Sequence, residues 1–126
     1  WKPVRAEFAQ RPYHAHNRLI ASVSMTPEER RQAARVVGDK LARAKGPVAF
    51  VLPRGGIQGW DREGQPLHDP QGLAAMHEAL RGAVRSPVEF SEVDAHINDA
   101  AFADTVLAIF DRWVAEGKIA PGKELA

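Results

Sequence analysis

A β-rich run followed by an amphipathic helical run occurs three times in order along this 126-residue chain. That alternation constrains the fold more than any other feature, because it calls for parallel strands joined by helical crossovers. The first strand is expected over residues 18–25. Thr26-Pro27-Glu28-Glu29 follows, with Thr26 placed to cap a helix, Pro27 suited to its first position, and Glu29 able to reach back in a capping box. The helix is predicted to run to about residue 44, with Ala33, Val37 and Leu41 on one face and Ala34 beside them. Gly46-Pro47 is expected to end it, glycine taking a left-handed cap.

Val48-Ala49-Phe50-Val51-Leu52 is apolar at every position, as a parallel strand covered on both faces would be. Pro53 stops it. Residues 54–68 form a long loop carrying Gly55, Gly56, Gly59, Gly64 and Pro66; loops of this length inside a compact domain are often functional. Asp69-Pro70 opens a second helix with Leu73, Met76, Leu80 and Val84 as its buried stripe. A third strand over residues 88–93 alternates Val88 and Phe90 with Glu89 and Ser91, which suits an edge. Asn98 or Asp99 caps the last helix. Its stripe of Phe102, Val106, Ile109, Phe110 and Trp113 reads as core or interface, and Gly117 closes it.

The fold class expected is therefore α/β, with three successive β-α units in a mainly parallel, Rossmann-like layered sheet. Residues 1–17 read as an irregular arm, 18–117 as the domain, and 118–126 as a tail. Three strands leave two open edges and limited burial, so the layer should lean on more strands or on a second copy of the chain. The opening residue is Trp1 and not methionine, so the natural N-terminus is expected to lie upstream.

Composition narrows the function classes. Hydrophobic residues are 44% and charged residues 26%, with a net charge of +1, which gives no concentrated basic face for a nucleic acid. The longest apolar run is too short to span a bilayer, so no membrane partner is expected. With no cysteine, disulfides and thiolate metal sites are excluded and a cytoplasmic location is expected.

In open α/β sheets ligands bind beyond the carboxyl ends of the strands. That rule selects residues 24–26, 54–69 and 94–99. In the second segment Arg54-Gly55-Gly56 could cradle a phosphate or carboxylate, or the glycines could simply turn the chain. Neither G-x-x-x-x-G-K-[ST] nor G-x-G-x-x-G is present. Asp61, His68 and Asp69 share this loop; Asp69 has a capping task, while nothing local explains Asp61. In His96-Ile97-Asn98-Asp99 one of the last two residues must cap, which leaves His96 free of an assigned task. Thr26 and Asn98 join Arg54, Gly55 and Gly56 as candidate ligand contacts, and His96, Asp61 and Asp99 are the candidate acid–base groups. His14-Ala15-His16 offers two histidines on one side, too few to define a metal site, and none is expected. Arg30, Arg31, Arg35, Lys40 and Arg43 alternate with acids as a solvated helix face.

Three ordered blocks carry a family resemblance. They are His16-Asn17 with Thr26-Pro27-Glu28-Glu29; Gly55-Gly56-Ile57 with Asp61 and residues 64–70; and residues 96–104. Together they resemble the C-terminal end of the tomato mosaic virus resistance protein-like ATP-binding family, from about His16 to Trp113. The resemblance implies a longer protein of two α/β domains, of which this chain is the last part of the second. It also implies ATP as a cofactor of the full-length protein, bound not necessarily by this segment. Arg54 and Gln58-Gly59-Trp60 depart from the family's smaller residues. The expected function is a C-terminal ligand-binding or assembly domain, partnered by the N-terminal domain or a second copy in a homo-oligomer. The alternative is an enzyme acting on a phosphorylated or carboxylated small molecule through His96 with Asp61 or Asp99.

Overall fold

The structure is a computed structural model describing residues 4–120 and residue 122. After a 3-10 turn (Ala6–Phe8) come β1 (Tyr13–Ala15), β2 (Ala21–Val23), α1 (Pro27–Leu41), β3 (Ala49–Pro53), α2 (Pro70–Ala83), β4 (Glu89–Val93) and α3 (Ala100–Ala115). The chain is α/β, with short strands and three helices. β3 and β4 are parallel, Phe50 lying opposite Phe90 and Leu52 opposite Glu92, with α2 as their crossover.

The first expected strand takes a different partner. Only Ala21–Val23 is extended and paired, and it runs antiparallel to Tyr13–Ala15 with His14 opposite Ser22. The parallel sheet therefore holds two strands among the described residues, not three. Asn17 explains the diversion: its Oδ1 accepts the N–H groups of Leu19 and Ile20 at 2.8 and 2.9 Å. The turn so formed lets the His16 N–H reach the Ile20 carbonyl at 3.0 Å. Closing this short loop costs somewhat less chain entropy than closing the longer connection to β3, since that cost grows slowly with loop length. Residues 1–17, expected to be irregular, thus include the 3-10 turn and β1. Trp1–Pro3 and most of the expected tail lie outside the described residues.

Two of the three predicted helix caps form as expected. The Glu29 N–H donates to Thr26 Oγ1 at 3.2 Å while Glu29 Oε2 accepts the Thr26 N–H at 2.8 Å, a complete capping box. Asp69 Oδ1 accepts the Gly72 N–H at 2.9 Å. The end of α1 differs from expectation. It stops at Leu41 with Ala42 in right-handed helical geometry, and the left-handed glycines among the described residues are Gly56, Gly64 and Gly117, not Gly46.

Ala34, Leu52, Leu80, Val84 and Val88 form the core, so α1 and α2 cover one face of the β3–β4 pair. The two helices touch at Gly38, where a Cβ would sit 2.5 Å from the Ala83 carbonyl oxygen. α3 lies over the other face, tied by Arg112 to Glu89 of β4. No α3 residue is buried. Val106 and Phe110 keep 41% and 49% exposure, so the expected stripe is only half covered. Residues Ala49–Val51 are for the same reason half-buried and not sealed on both faces.

Candidate functional site

The backbone ladder continues past the strand ends and brings two loops together. Arg54 N–H donates to the Val93 carbonyl at 2.9 Å, Gly55 N–H to Ala95 at 2.8 Å, and Ile97 N–H to Gly56 at 3.0 Å. Glycine is required at both loop positions. A Cβ on Gly55 would lie 2.7 Å from the His96 nitrogen; Gly56 has φ +116° and its Cβ would strike the Asp61 carboxylate.

His96, 2% exposed, fastens the loops through its ring. Nε2 lies 3.0 Å from the Gln58 carbonyl oxygen and 3.1 Å from Asp61 Oδ1. Nδ1 faces the Asn98 N–H at 3.1 Å and Arg62 Nη2 at 3.0 Å. Two donors at Nδ1 and two acceptors at Nε2 assign the proton of the neutral ring to Nε2. The other oxygen of Asp61 accepts the Ile57 and Gln58 N–H groups at 2.8 and 3.2 Å. Asp99 accepts the His96 N–H at 2.8 Å and Arg62 Nη2 at 2.7 Å. The Arg62 guanidinium, and then the His96 N–H, hold the Asp99 carboxyl below the usual carboxylate range. Asp99 is the N-cap of α3 by position, but its side chain turns back to His96 and does not cap.

The sequence candidates thus divide. His96, Asp61, Asp99, Gly55, Gly56 and the backbone of Asn98 converge, with Arg62 added. Every polar atom of the imidazole is engaged by the protein, so the pair His96 and Asp61 acts as a clasp between loops. Thr26 stands apart, held in its capping box. The N–H groups of Arg54 and Gly55 belong to the ladder, which leaves an anion the Gly56 N–H and the Arg54 side chain. Arg54 is half exposed, and its nearest carboxylate, Glu92, is 3.9 Å away.

Arg54 reaches into a cleft of about 550 Å³ between the end of β2 and the loop after β3. Ser22, Ser24, Arg30, Asp61, His68 and Asp69 also line it. Arg30, expected on a solvated face, instead bridges the Met25 carbonyl at 3.2 Å and Asp69 Oδ2 at 2.9 Å. His14 and His16 flank the Trp60 ring at 4.7 and 5.5 Å between centroids, pinning the hairpin to the loop.

Arg62 and Trp60 carried no sequence signal, because each finds its partner more than thirty residues away. His77 was also missed; it is buried on α2, and its Nε2 has no hydrogen-bond partner among the described residues. Burial lowers its pKa first, followed by the charge of Arg81. No helix among the described residues is long and apolar enough to cross a membrane.

The match to a known family spans the hairpin, the clasp and the cleft together. Residues 1–114 match the Uncharacterised protein family (UPF0261) C-terminal domain. The chain belongs to this family. It is 58% identical over 122 residues to a UPF0261 protein of Brucella melitensis, covering 97% of this chain and 29% of that protein. It is 34% identical over 116 residues to a UPF0261 protein of Rhizobium meliloti, again covering 29% of the relative. The ToMV resistance protein Tm-1(GCR237) of Solanum lycopersicum is more distant, at 28% identity over 109 residues and 14% of its length. The chain therefore spans under a third of the curated relatives it matches.

Proposed function

We propose that this chain is a ligand-binding portion of a longer protein, and that the cleft beside β3 receives a small phosphorylated or carboxylated molecule. The observation that carries this reading is Arg54. Its side chain is 51% exposed, has only a 3.9 Å contact to Glu92, and stands at the rim of a cleft at the carboxyl end of a parallel strand. Arg30, Ser22 of β2 and Ser24 just after it line the same cleft. The clasp of His96 with Asp61 keeps the loop in place and performs no proton transfer. The resemblance to ATP-binding proteins makes ATP a ligand to test in the longer protein. The remainder of the family chain, or a second copy in a homo-oligomer, would supply the opposite wall. A cytoplasmic setting belongs to the same reading.

Thermal-shift measurements on this chain and on a full-length family member, with ATP, other nucleotides and phosphorylated metabolites, test the proposal. A ligand at a hundredfold excess over its Kd stabilises by about 2.7 kcal/mol, a shift of several degrees. That shift should be lost in Arg54→Gln. A shift insensitive to Arg54→Gln, or the lack of one with any anion in either protein, would count against the cleft.

A further inference from the structure

The outer edge of β3 is an unusual edge. Val48 accepts the Glu89 N–H at 2.9 Å and Arg54 donates to Val93 at 2.9 Å, so by strand alternation residues 48, 50, 52 and 54 face β4. The N–H and C=O groups of Ala49 and Val51 therefore point outward, where no strand of the described residues lies. Natural free edges are blunted by charge, bulges or cover. Residues 48–52 carry no charge at all. α3 overhangs this edge, and Phe102, Val106, Phe110 and Trp113 line an apolar groove of about 410 Å³ with Val48 and Val51.

We infer that this edge and groove seat one further strand, supplied by the part of the family chain that lies outside this stretch. The length of that part supports the choice, since the matched stretch is 29% of the Brucella melitensis relative. Such a strand would take the outward donors and acceptors of Ala49 and Val51, and its side chains would cover Val106 and Phe110. It would also extend a two-stranded sheet that is marginal as it stands. A second copy of this chain is the competing occupant. This inference shares the expectation of a longer protein with the ligand proposal but does not depend on the cleft.

Amide hydrogen exchange read residue by residue separates the cases. In the full-length Brucella melitensis protein, the amides matching Ala49 and Val51 should exchange within about tenfold of those matching Phe50 and Leu52, independently of protein concentration. In the 126-residue chain alone, the outward pair should exchange at least a hundredfold faster than the inward pair. Fast outward exchange in the full-length protein would overturn the proposal. So would outward protection that grows with concentration as dimers form, which assigns the edge to a second copy. A failed ligand screen would leave these exchange rates unchanged, so the two proposals fail separately.

Discussion

His96 Nε2 lies 3.1 Å from Asp61 Oδ1 and joins two loops that are 35 residues apart in sequence. The bond is buried, and each partner has further bonds that fix its orientation. Removing the ring would leave Asp61 Oδ1 and the Asn98 N–H without their imidazole partner, while the other Asp61 oxygen keeps the Ile57 and Gln58 N–H groups. His96→Ala is expected to cost about 2–4 kcal/mol in urea unfolding. Asp61→Asn should cost less, about 1–2 kcal/mol, because an amide oxygen can still accept the turn N–H groups.

Gly55 and Gly56 meet different obstacles, and their substitutions should differ accordingly. Gly55→Ala drives a methyl against the backbone of residues 95 and 96. It should lose about 1–3 kcal/mol. Gly56→Ala adds backbone strain to a clash with Asp61. In a double-mutant cycle Gly56→Ala and Asp61→Ala should be less than additive, since removing the carboxylate relieves the clash. Strict additivity in denaturant unfolding would refute the close approach.

Gly38 and Gly46 make a paired test of helix packing. Gly38→Ala pushes α1 away from Ala83 and is expected to destabilise by about 1–3 kcal/mol. A Cβ on Gly46 meets nothing within 4 Å. Gly46→Ala should be neutral or stabilise by a few tenths of a kcal/mol through the unfolded chain. Melting temperatures of the two variants should move apart by several degrees.

His77 predicts a pH dependence with a definite sign. Burial, then the nearby Arg81 and Arg54 cations, lower its pKa below 6.5, with Glu92 and the Pro53 carbonyl opposing. The unfolded chain therefore takes up a proton first as pH falls below about 6.5, and stability drops until the folded pKa is passed. His77→Gln should flatten that part of the stability–pH curve. An unchanged curve would mean that the ring is protonated at no cost in the folded state.

At the start of α1, Thr26→Ala should remove about 1 kcal/mol of stability by breaking the capping box. Arg11, and then the Thr26 N–H, lower the Glu29 pKa. Its ionised form therefore favours the fold above the ordinary carboxylate pKa, and that contribution is lost as pH falls through the lowered one. Unfolding followed by far-UV circular dichroism from pH 6 to 2 should show a smaller acid loss in Glu29→Gln.

Local chemistry made much of the fold legible. Thr26, Pro27 and Glu29 form a cap from four consecutive residues, and Asp69 with Pro70 starts α2 in the same way. The apolar run ending at Pro53 marked β3 because hydrophobicity there is continuous. β2 was legible as a strand but not as a hairpin partner, since its pairing depends on a turn organised by one Asn17 side chain. In the site, the position of the two loops followed from the strand-end rule, and Gly55 and Gly56 stood out by type. The bonds of Asp61, Arg62 and His96 did not, because each partner lies in a different loop.

The opening feature, strand followed by helix, thus determined the α/β class and the helix starts, which rest on near neighbours in the chain, and the order of elements from which the β3–α2–β4 crossover is built. Tertiary structure alone decided that β2 leaves the parallel sheet, that α3 covers its face incompletely, and that His96 holds Asp61 at the end of β3. The last two outcomes depend on which distant groups can satisfy one another's hydrogen bonds and bury one another's surface, while the first turns on the Asn17 side chain closing a hairpin before the strand can reach β3.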